Sequence, residues 1–491
     1  MPLVMPAQAK PDPEPAAARP SWSGRDLRWV GLLTALTATV HSLIAISTYY
    51  RFVMGSFDVV IFDQVMRGYA SLSAPVSTVK GVHDGFGPNF SVLGDHFSPI
   101  NALLAPLYWI YDHPASLFVA QSVLFAAAVP IVWVAARRLF GRTTAYIVAT
   151  AFALSFPLQV ASINGFHEVA FAVPLTVLAL ERLQAGRYRQ ACLVALALLL
   201  VKEDMGLVVA VFGLIVAARG RRKLGLITAG IGVAAFALVM LVLIPAAGGQ
   251  SDYYWMYDQL GSGPAEALGH IIVHPLDTIS IALHPGTKLV TLAWLFGMLG
   301  FAALGSPLVL LTMPLLAERM FSTNPNHWNI EHHYDAFLWP ILLFAAMDTV
   351  ARLSERRRWP GLPRHWAIAT LAAIVVASML RFPLGDQVTG QAWRLGERER
   401  AAAAAVAMIP DGVTVEADNR VGPHLTTRST VLLLLDQTPR GADWLIVDTQ
   451  KRSFPFESVA EQLDRLAMAR ADGFDVVFDR SGYVVLHRGG R

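Results

Sequence analysis

The chain has 491 residues, 54% of them hydrophobic and only 15% charged, with a formal net charge of +3. A soluble globular protein carries about a quarter of its residues charged, so the composition excludes that class and describes a polytopic membrane protein. The basic excess sits in short loops between apolar runs, so it reports topology and not nucleic-acid binding. The single Cys192 rules out an intramolecular disulfide and reads as a small core residue.

Residues 1–24, rich in Pro and Ala and without apolar periodicity, are expected to form a disordered cytoplasmic tail. The apolar run 27–48 follows Arg25 and Arg28 and is too long for a signal-peptide core, so it reads as a retained first span. Residues 49–99 then form the first outward loop, whose Gly-rich tract at 81–88 forbids a continuous helix. This loop opens with Phe57-Asp58-Val59-Val60-Ile61-Phe62-Asp63-Gln64. Two carboxylates flanked by Phe, Val and Ile beside a bilayer are retained chiefly where something binds or reacts with them. Residues 99–111 are apolar but too short to span, and are expected to lie at the outer interface with Tyr108 and Trp109 at headgroup level.

Further spans are expected at 115–136, 144–160, 169–183, 190–201, 205–218, 224–245, 289–304, 307–317, 336–350 and 366–380, giving about eleven with the first. Arg137, Arg138 and Arg142, then Arg182, Arg187 and Arg189, then Arg219, Arg221, Arg222 and Lys223, then Arg352, Arg356, Arg357, Arg358 and Arg364 fall in alternate loops. The rule that cytoplasmic loops carry the basic residues makes this a multi-pass plasma-membrane protein with a cytoplasmic amino terminus. Asp58, Asp63, Asp95 and His96 then face outward. The same alternation requires 190–218 to be a hairpin with Lys202-Glu203-Asp204 at its tip. Each arm is only about 12–14 residues, roughly 18–21 Å, so the tip should lie below the outer surface, in a wet cavity or buried in protein.

Two more outward turns carry polar groups: Asn164-Gly165-Phe166-His167-Glu168, and the segment 324–335 with His327, His332, His333 and Tyr334. Four separate outward turns therefore converge on one face. Their histidines and carboxylates are able in principle to ligate a divalent ion such as Mg or Mn, but no pair has the helical spacing of a zinc site, and His332-His333 reads as one outward and one inward side chain at a helix start. The loop 246–288, with Tyr253-Tyr254-Trp255, reads as an interfacial aromatic belt or as a wall above the cavity. From about residue 382 to 491 the composition turns charged, and a small extracytoplasmic α/β domain is expected, with helices near 397–408 and 457–470. Its strands are expected around 413–418, 431–436, 444–448, 476–478 and 484–486. It holds no phosphate-binding Gly-rich loop and no nucleophile elbow, and Asp418, His424 and Asp448 read as structural.

The first-loop stretch 57–64, Gly94-Asp95-His96-Phe97-Ser98-Pro99 with Leu104-Ala105-Pro106-Leu107-Tyr108, the 164–168 turn and Lys202-Glu203-Asp204 together resemble the bacterial membrane-protein family called domain of unknown function 2079. That family in turn resembles a branch of the GT-C superfamily, polytopic glycosyltransferases that use polyprenyl-phosphate sugars on the extracytoplasmic face. The resemblance implies a transmembrane GT-C-like domain over 25–381 and an acidic residue of the first outward loop as base or metal-linked carboxylate. Asp63-Gln64, with Tyr69 following, is the counterpart of the Asp-Glu pair common there. Gln64 in place of the second acid puts metal dependence in doubt and leaves Asp58 as the substitute.

Transfer from a lipid phosphate needs a carboxylate to take the acceptor's proton and cationic or dipolar groups for the departing phosphate. The expected assignment is Asp63 as base with Asp58 as partner. Asp95, His96, His167, Glu168, Lys202, Glu203, His332, His333 and Tyr334 would bind the substrate. The partners are a polyprenyl-phosphate sugar donor, membrane lipids and a glycan or lipid acceptor of the cell envelope. Competing readings are a secondary transporter, for which an internal repeat and a cytoplasmic-side gate are missing, and a non-catalytic scaffold displaying the carboxy-terminal domain.

Overall fold

A computed structural model describes residues 23–250, 255–435 and 441–489. The tail 1–22, Tyr253, Tyr254 and Asp436 lie outside the described residues. Helix α1, Gly24–Tyr50, starts on a capping box in which Ser23 and Asp26 bond each other's backbone, and it runs without a break. A turn through Phe52 leads into α2, Ser56–Ala70, which carries both first-loop carboxylates. Then follow α3, Thr78–His83, a 3-10 turn over Pro99–Leu104, α4, Ala105–Ile110, and α5, Ala115–Phe140.

Among the described residues, six helices are long and apolar enough to cross a membrane: Gly24–Tyr50, Ala115–Phe140, Arg142–Ile163, Arg222–Ala246, His333–Arg356 and Leu362–Leu380. Pro275–Leu283 with Thr287–Gly297, bent by 78°, makes a seventh if counted as one span. Shorter apolar helices, Pro99–Ile110, Tyr188–Leu200 and Met205–Ala218, stand beside them. The run 289–304 stops at Gly300 and Phe301, both with positive φ, and 307–317 is a 3-10 segment leading into Met313–Phe321. Residues 246–288, expected as a loop, contain the helices Pro264–Val273 and Pro275–Leu283.

The expected hairpin is present as the short apolar helices Tyr188–Leu200 and Met205–Ala218. Its base lies at the end of the bundle where Arg221 stacks over Tyr188, so its tip reaches the opposite end, where α2 lies. Met205–Ala218 packs closely against Arg222–Leu238. A Cβ on Gly213 would fall 2.4 Å from the Ala229 nitrogen, and one on Gly225 would fall 2.3 Å from the Ala217 nitrogen. Small residues at such a crossing let helix backbones approach where no hydrophobic effect drives association. At the basic end, buried Asp26 accepts from Tyr146 (3.0 Å) and pairs with Arg142 (2.7 Å) and Arg137 (3.4 Å).

The carboxy-terminal region follows the sequence expectation closely. Strands β1 Thr414–Ala417, β2 Thr430–Leu433, β3 Trp444–Asp448, β4 Asp475–Arg480 and β5 Tyr483–His487 form one sheet in the order β2-β1-β3-β5-β4. The β1 pairs with β2 and β3 are parallel, and β5 is antiparallel to β3 and β4. One apolar face, with Leu445, Val447, Val484 and Leu486, packs with Leu466 and Ala469 of the helix Val459–Ala471. The other face, with Val415, Ala417 and Ile446, joins the hydrophobic core of the membrane helices. The sheet is therefore seated on the α2 end of the bundle.

Candidate active site

Asp58 and Asp63 leave α2 on different sides. Asp58, in the first turn, has a side chain 45% exposed and faces His167, with Oδ1 3.4 Å from Nε2. Asp63 is completely buried and accepts hydrogen bonds from Arg67 Nε (3.0 Å), Tyr108 Oη (2.8 Å) and Thr426 Oγ1 (2.8 Å). A carboxylate so enclosed has no open approach for an acceptor hydroxyl in this arrangement. Its three bonds tie α2 to α4 and to the carboxy-terminal domain. Tyr108 accordingly points inward, away from the headgroup level expected for it, while Trp109 stays exposed and donates to the Ala70 carbonyl at 2.8 Å.

The 164–168 turn brings His167 to Asp58. Gly165 takes the left-handed conformation (φ 86°), and Gln121 braces the turn, donating to the Gly165 carbonyl (2.7 Å) and accepting from the His167 amide (3.1 Å). The His167 ring stacks on His333, with centroids 3.4 Å apart, and His333 abuts Tyr334 at 4.3 Å. His332 lies 6.3 Å from the Tyr334 ring. Arg319 lies over Tyr334 at 5.7 Å, pairs with buried Asp335 (2.5 Å) and donates to the His327 carbonyl (2.6 Å).

At the hairpin tip, Lys202 Nζ lies 3.2 Å from Asp204. Burial alone would lower the Lys202 pKa, but Asp204, Glu318, Glu203 and Glu168 around it hold it well above the ordinary value. Glu318 itself is pushed up to about 7 by burial and by Asp204. Glu203 accepts from the Phe97 amide (3.1 Å) and pairs with His96 (2.8 Å), clipping the first loop to the tip.

Burial opposes charge on both members of that clip, but each holds the other ionised: His96 is raised to about 9 and Glu203 lowered to about 2. The His96 contribution to stability is present in full below its unfolded pKa of about 6.5 and is lost as pH rises through about 9. The Glu203 contribution is present above about 4.5 and is lost only as pH falls through about 2. Stability of the loop–tip contact should therefore fall between pH 6.5 and 9. The protection of the Phe97 amide, taken from its exchange rate relative to the intrinsic base-catalysed rate at each pH, should fall across that window in the wild type and stay flat in His96→Asn.

Asp58, His167, Glu168, Lys202, Glu203, His96, His332, His333 and Tyr334 are thus gathered at one end of the bundle. Asp95 is held apart by Lys80 of α3 at 3.2 Å. Several buried polar atoms here make no hydrogen bond: His167 Nδ1, Arg319 Nη2 and Asp204 Oδ1, while His167 Nε2 has only the 3.4 Å approach of Asp58. Orphaned buried atoms are rare in folded proteins, and gathered in one place they mark where a polar ligand or water belongs. The donor set does not fit a resident Mg or Mn ion. Glu203 is taken by His96 and Asp95 by Lys80, and among the described residues no three His, Cys, Asp or Glu side chains converge as ligands. Glu318 and Arg319 were missed from the sequence, although a charged pair ending the apolar run 307–317 was the signal for them.

ArnT from Cupriavidus metallidurans, solved with undecaprenyl phosphate bound, superposes with a TM-score of 0.53 at 13% identity, covering 95% of this chain and 100% of that one. Its apo form gives 0.51 at 12% identity over the same shares. The oligosaccharyltransferase AglB from Archaeoglobus fulgidus, in complex with an inhibitory peptide and a dolichol-phosphate, gives 0.46 at 13% identity over 95% of this chain and 75% of that one. No curated protein matches by sequence. The fold is thus shared with ArnT, and the family model described as "Predicted membrane protein (DUF2079)" matches residues 48–485. The chain belongs to the DUF2079 family of membrane proteins.

Proposed function

We propose that the protein is a membrane glycosyltransferase that moves a sugar from a polyprenyl-phosphate donor to a glycan or lipid acceptor of the cell envelope. The observation that carries this reading is the row of groups from Asp58 through the His167–His333 stack towards Lys202. It lies in a chain that shares its fold with ArnT, which is seen bound to undecaprenyl phosphate. The basic loops assign this end of the bundle to the extracytoplasmic side, where the apolar surfaces between helices can receive a prenyl chain.

In the transfer, the bond between the anomeric carbon and the donor phosphate oxygen breaks and one to the acceptor oxygen forms. The acceptor's proton must leave, and the phosphate keeps the bonding pair. Asp58 takes the proton, and His167 orients its carboxylate. Lys202 and the free Nη2 of Arg319 would meet the phosphate oxygens as cationic donors, with the histidine rings as hydrogen-bonding partners, and donors preorganised in a water-poor site stabilise the charge that develops. Asp63 and Asp95 support the scaffold.

Lys202→Gln in lipid nanodiscs should raise the KM for a polyprenyl-phosphate sugar by about 10–100-fold, as loss of a charge-assisted contact does. Unchanged donor affinity would overturn the role of Lys202. Substrate flux across sealed proteoliposomes without transfer would replace the enzyme by a transporter.

A further inference from the structure

The first four amides of any helix lack partners within it, and a Ser, Thr, Asp or Asn at the preceding residue usually supplies one. In α2 that residue is Gly55, which has no side chain to offer. The partners come from 362 positions away. The Asn419 carbonyl accepts from the Ser56 amide (2.6 Å) and the Ser56 hydroxyl (2.8 Å), and Asn419 Oδ1 accepts from the Phe57 amide (3.2 Å). Asp58 is the next residue.

The approach is too close for ordinary side chains. A Cβ on Gly55 would lie 2.9 Å from Asn419 Nδ2, and one on Gly422 would lie 2.2 Å from Ser56 Oγ. The turn bearing Asn419 is fixed on both sides. Before it, Asp418 donates its amide to the Ile446 carbonyl (2.9 Å) and accepts from the Ser453 hydroxyl (2.9 Å). After it, His424 stacks on Tyr49 (4.1 Å) and Phe52 (3.9 Å), and Thr426 donates to Asp63.

We infer that Asn419 of the carboxy-terminal domain is the N-cap of α2, supplied from outside the helix, and that it is a positioning residue holding Asp58 against His167. This rests on the transferase reading of Asp58. Glue between two domains would be served by apolar contact anywhere along the seam. These bonds land on the first two amides of the turn that carries the carboxylate, where a displacement of about 1 Å is enough to slow a reaction about 100-fold.

The test uses the full chain in nanodiscs with Asn419→Ala and Asn419→Asp. In Asn419→Ala, amide exchange in peptides covering 55–60 should be about fivefold faster, the usual effect of losing a cap. The kcat should fall by about 10–100-fold while the donor KM stays within about twofold, because the phosphate-binding groups lie on other elements. Asn419→Asp should restore both, since its carboxylate accepts the same amide and suits the positive end of the helix. Unchanged exchange overturns the cap. Faster exchange with unchanged kcat, or failure of the Asp variant to restore kcat, overturns the positioning role. If the wild type transfers no sugar from polyprenyl-phosphate donors, the transferase reading fails, and the exchange measurement, which needs no turnover, still upholds or overturns the cap.

Discussion

Asp58→Asn is expected to lower kcat for sugar transfer by about 10²–10⁴-fold, the usual contribution of a positioned general base, while insertion, folding and donor KM stay near wild type. The two halves of this expectation have separate causes. The amide is nearly the same shape as the carboxylate but cannot take up the acceptor's proton. The side chain is 45% exposed and its Oδ1 lies 3.4 Å from His167 Nε2. Exposed substitutions of this kind usually shift stability by no more than about 0.5 kcal/mol. Single-turnover transfer of a labelled polyprenyl-phosphate sugar, with a melting curve on the same sample, checks both. A variant that keeps kcat within about threefold of wild type would remove Asp58 from the proton transfer and return the question to Glu318 or Glu168.

Some of this arrangement was legible in the residues and some was not. The strands and helices of the carboxy-terminal sheet emerge from short apolar runs between turn residues, because each strand's burial is local in sequence. The hairpin with Lys202 at its tip followed from charge alternation alone. The gathering of polar turns followed from the cost of ionisable groups among apolar neighbours. The continuity of the run 289–304 did not follow, because composition marks a run as apolar but not as continuous, and the Gly300–Phe301 turn breaks one that hydropathy joins. The roles of the two first-loop acids did not follow either. Five residues along a helix turn a side chain by about 140°, so Asp58 and Asp63 had to face different surroundings. Which one stayed open beside His167 was decided by Tyr108 and by Thr426, the latter 363 positions away.

That division predicts opposite phenotypes for the two carboxylates. Asp63→Ala should destabilise the protein by about 3–5 kcal/mol, the range for removing one partner of a buried ion pair. It would strand the Tyr108 and Thr426 hydroxyls and leave Arg67 with Asp112 alone in that network. Loss of the Thr426 bond also loosens the seat of the carboxy-terminal domain, so limited proteolysis should cut between residues 381 and 414 sooner than in the wild type. Asp63→Asn should fall between the two, because an amide keeps one acceptor oxygen for three donors. Thermal unfolding in detergent, read by the melting midpoint and by the protease-resistant fraction, measures the effect without a substrate. The decisive comparison is with activity. If Asp63→Asn melts like the wild type and yet loses transfer to the extent expected of Asp58→Asn, the enclosed carboxylate opens during turnover and is the base after all. If its loss of activity only tracks its loss of folded protein, Asp63 holds the frame and Asp58 faces the chemistry.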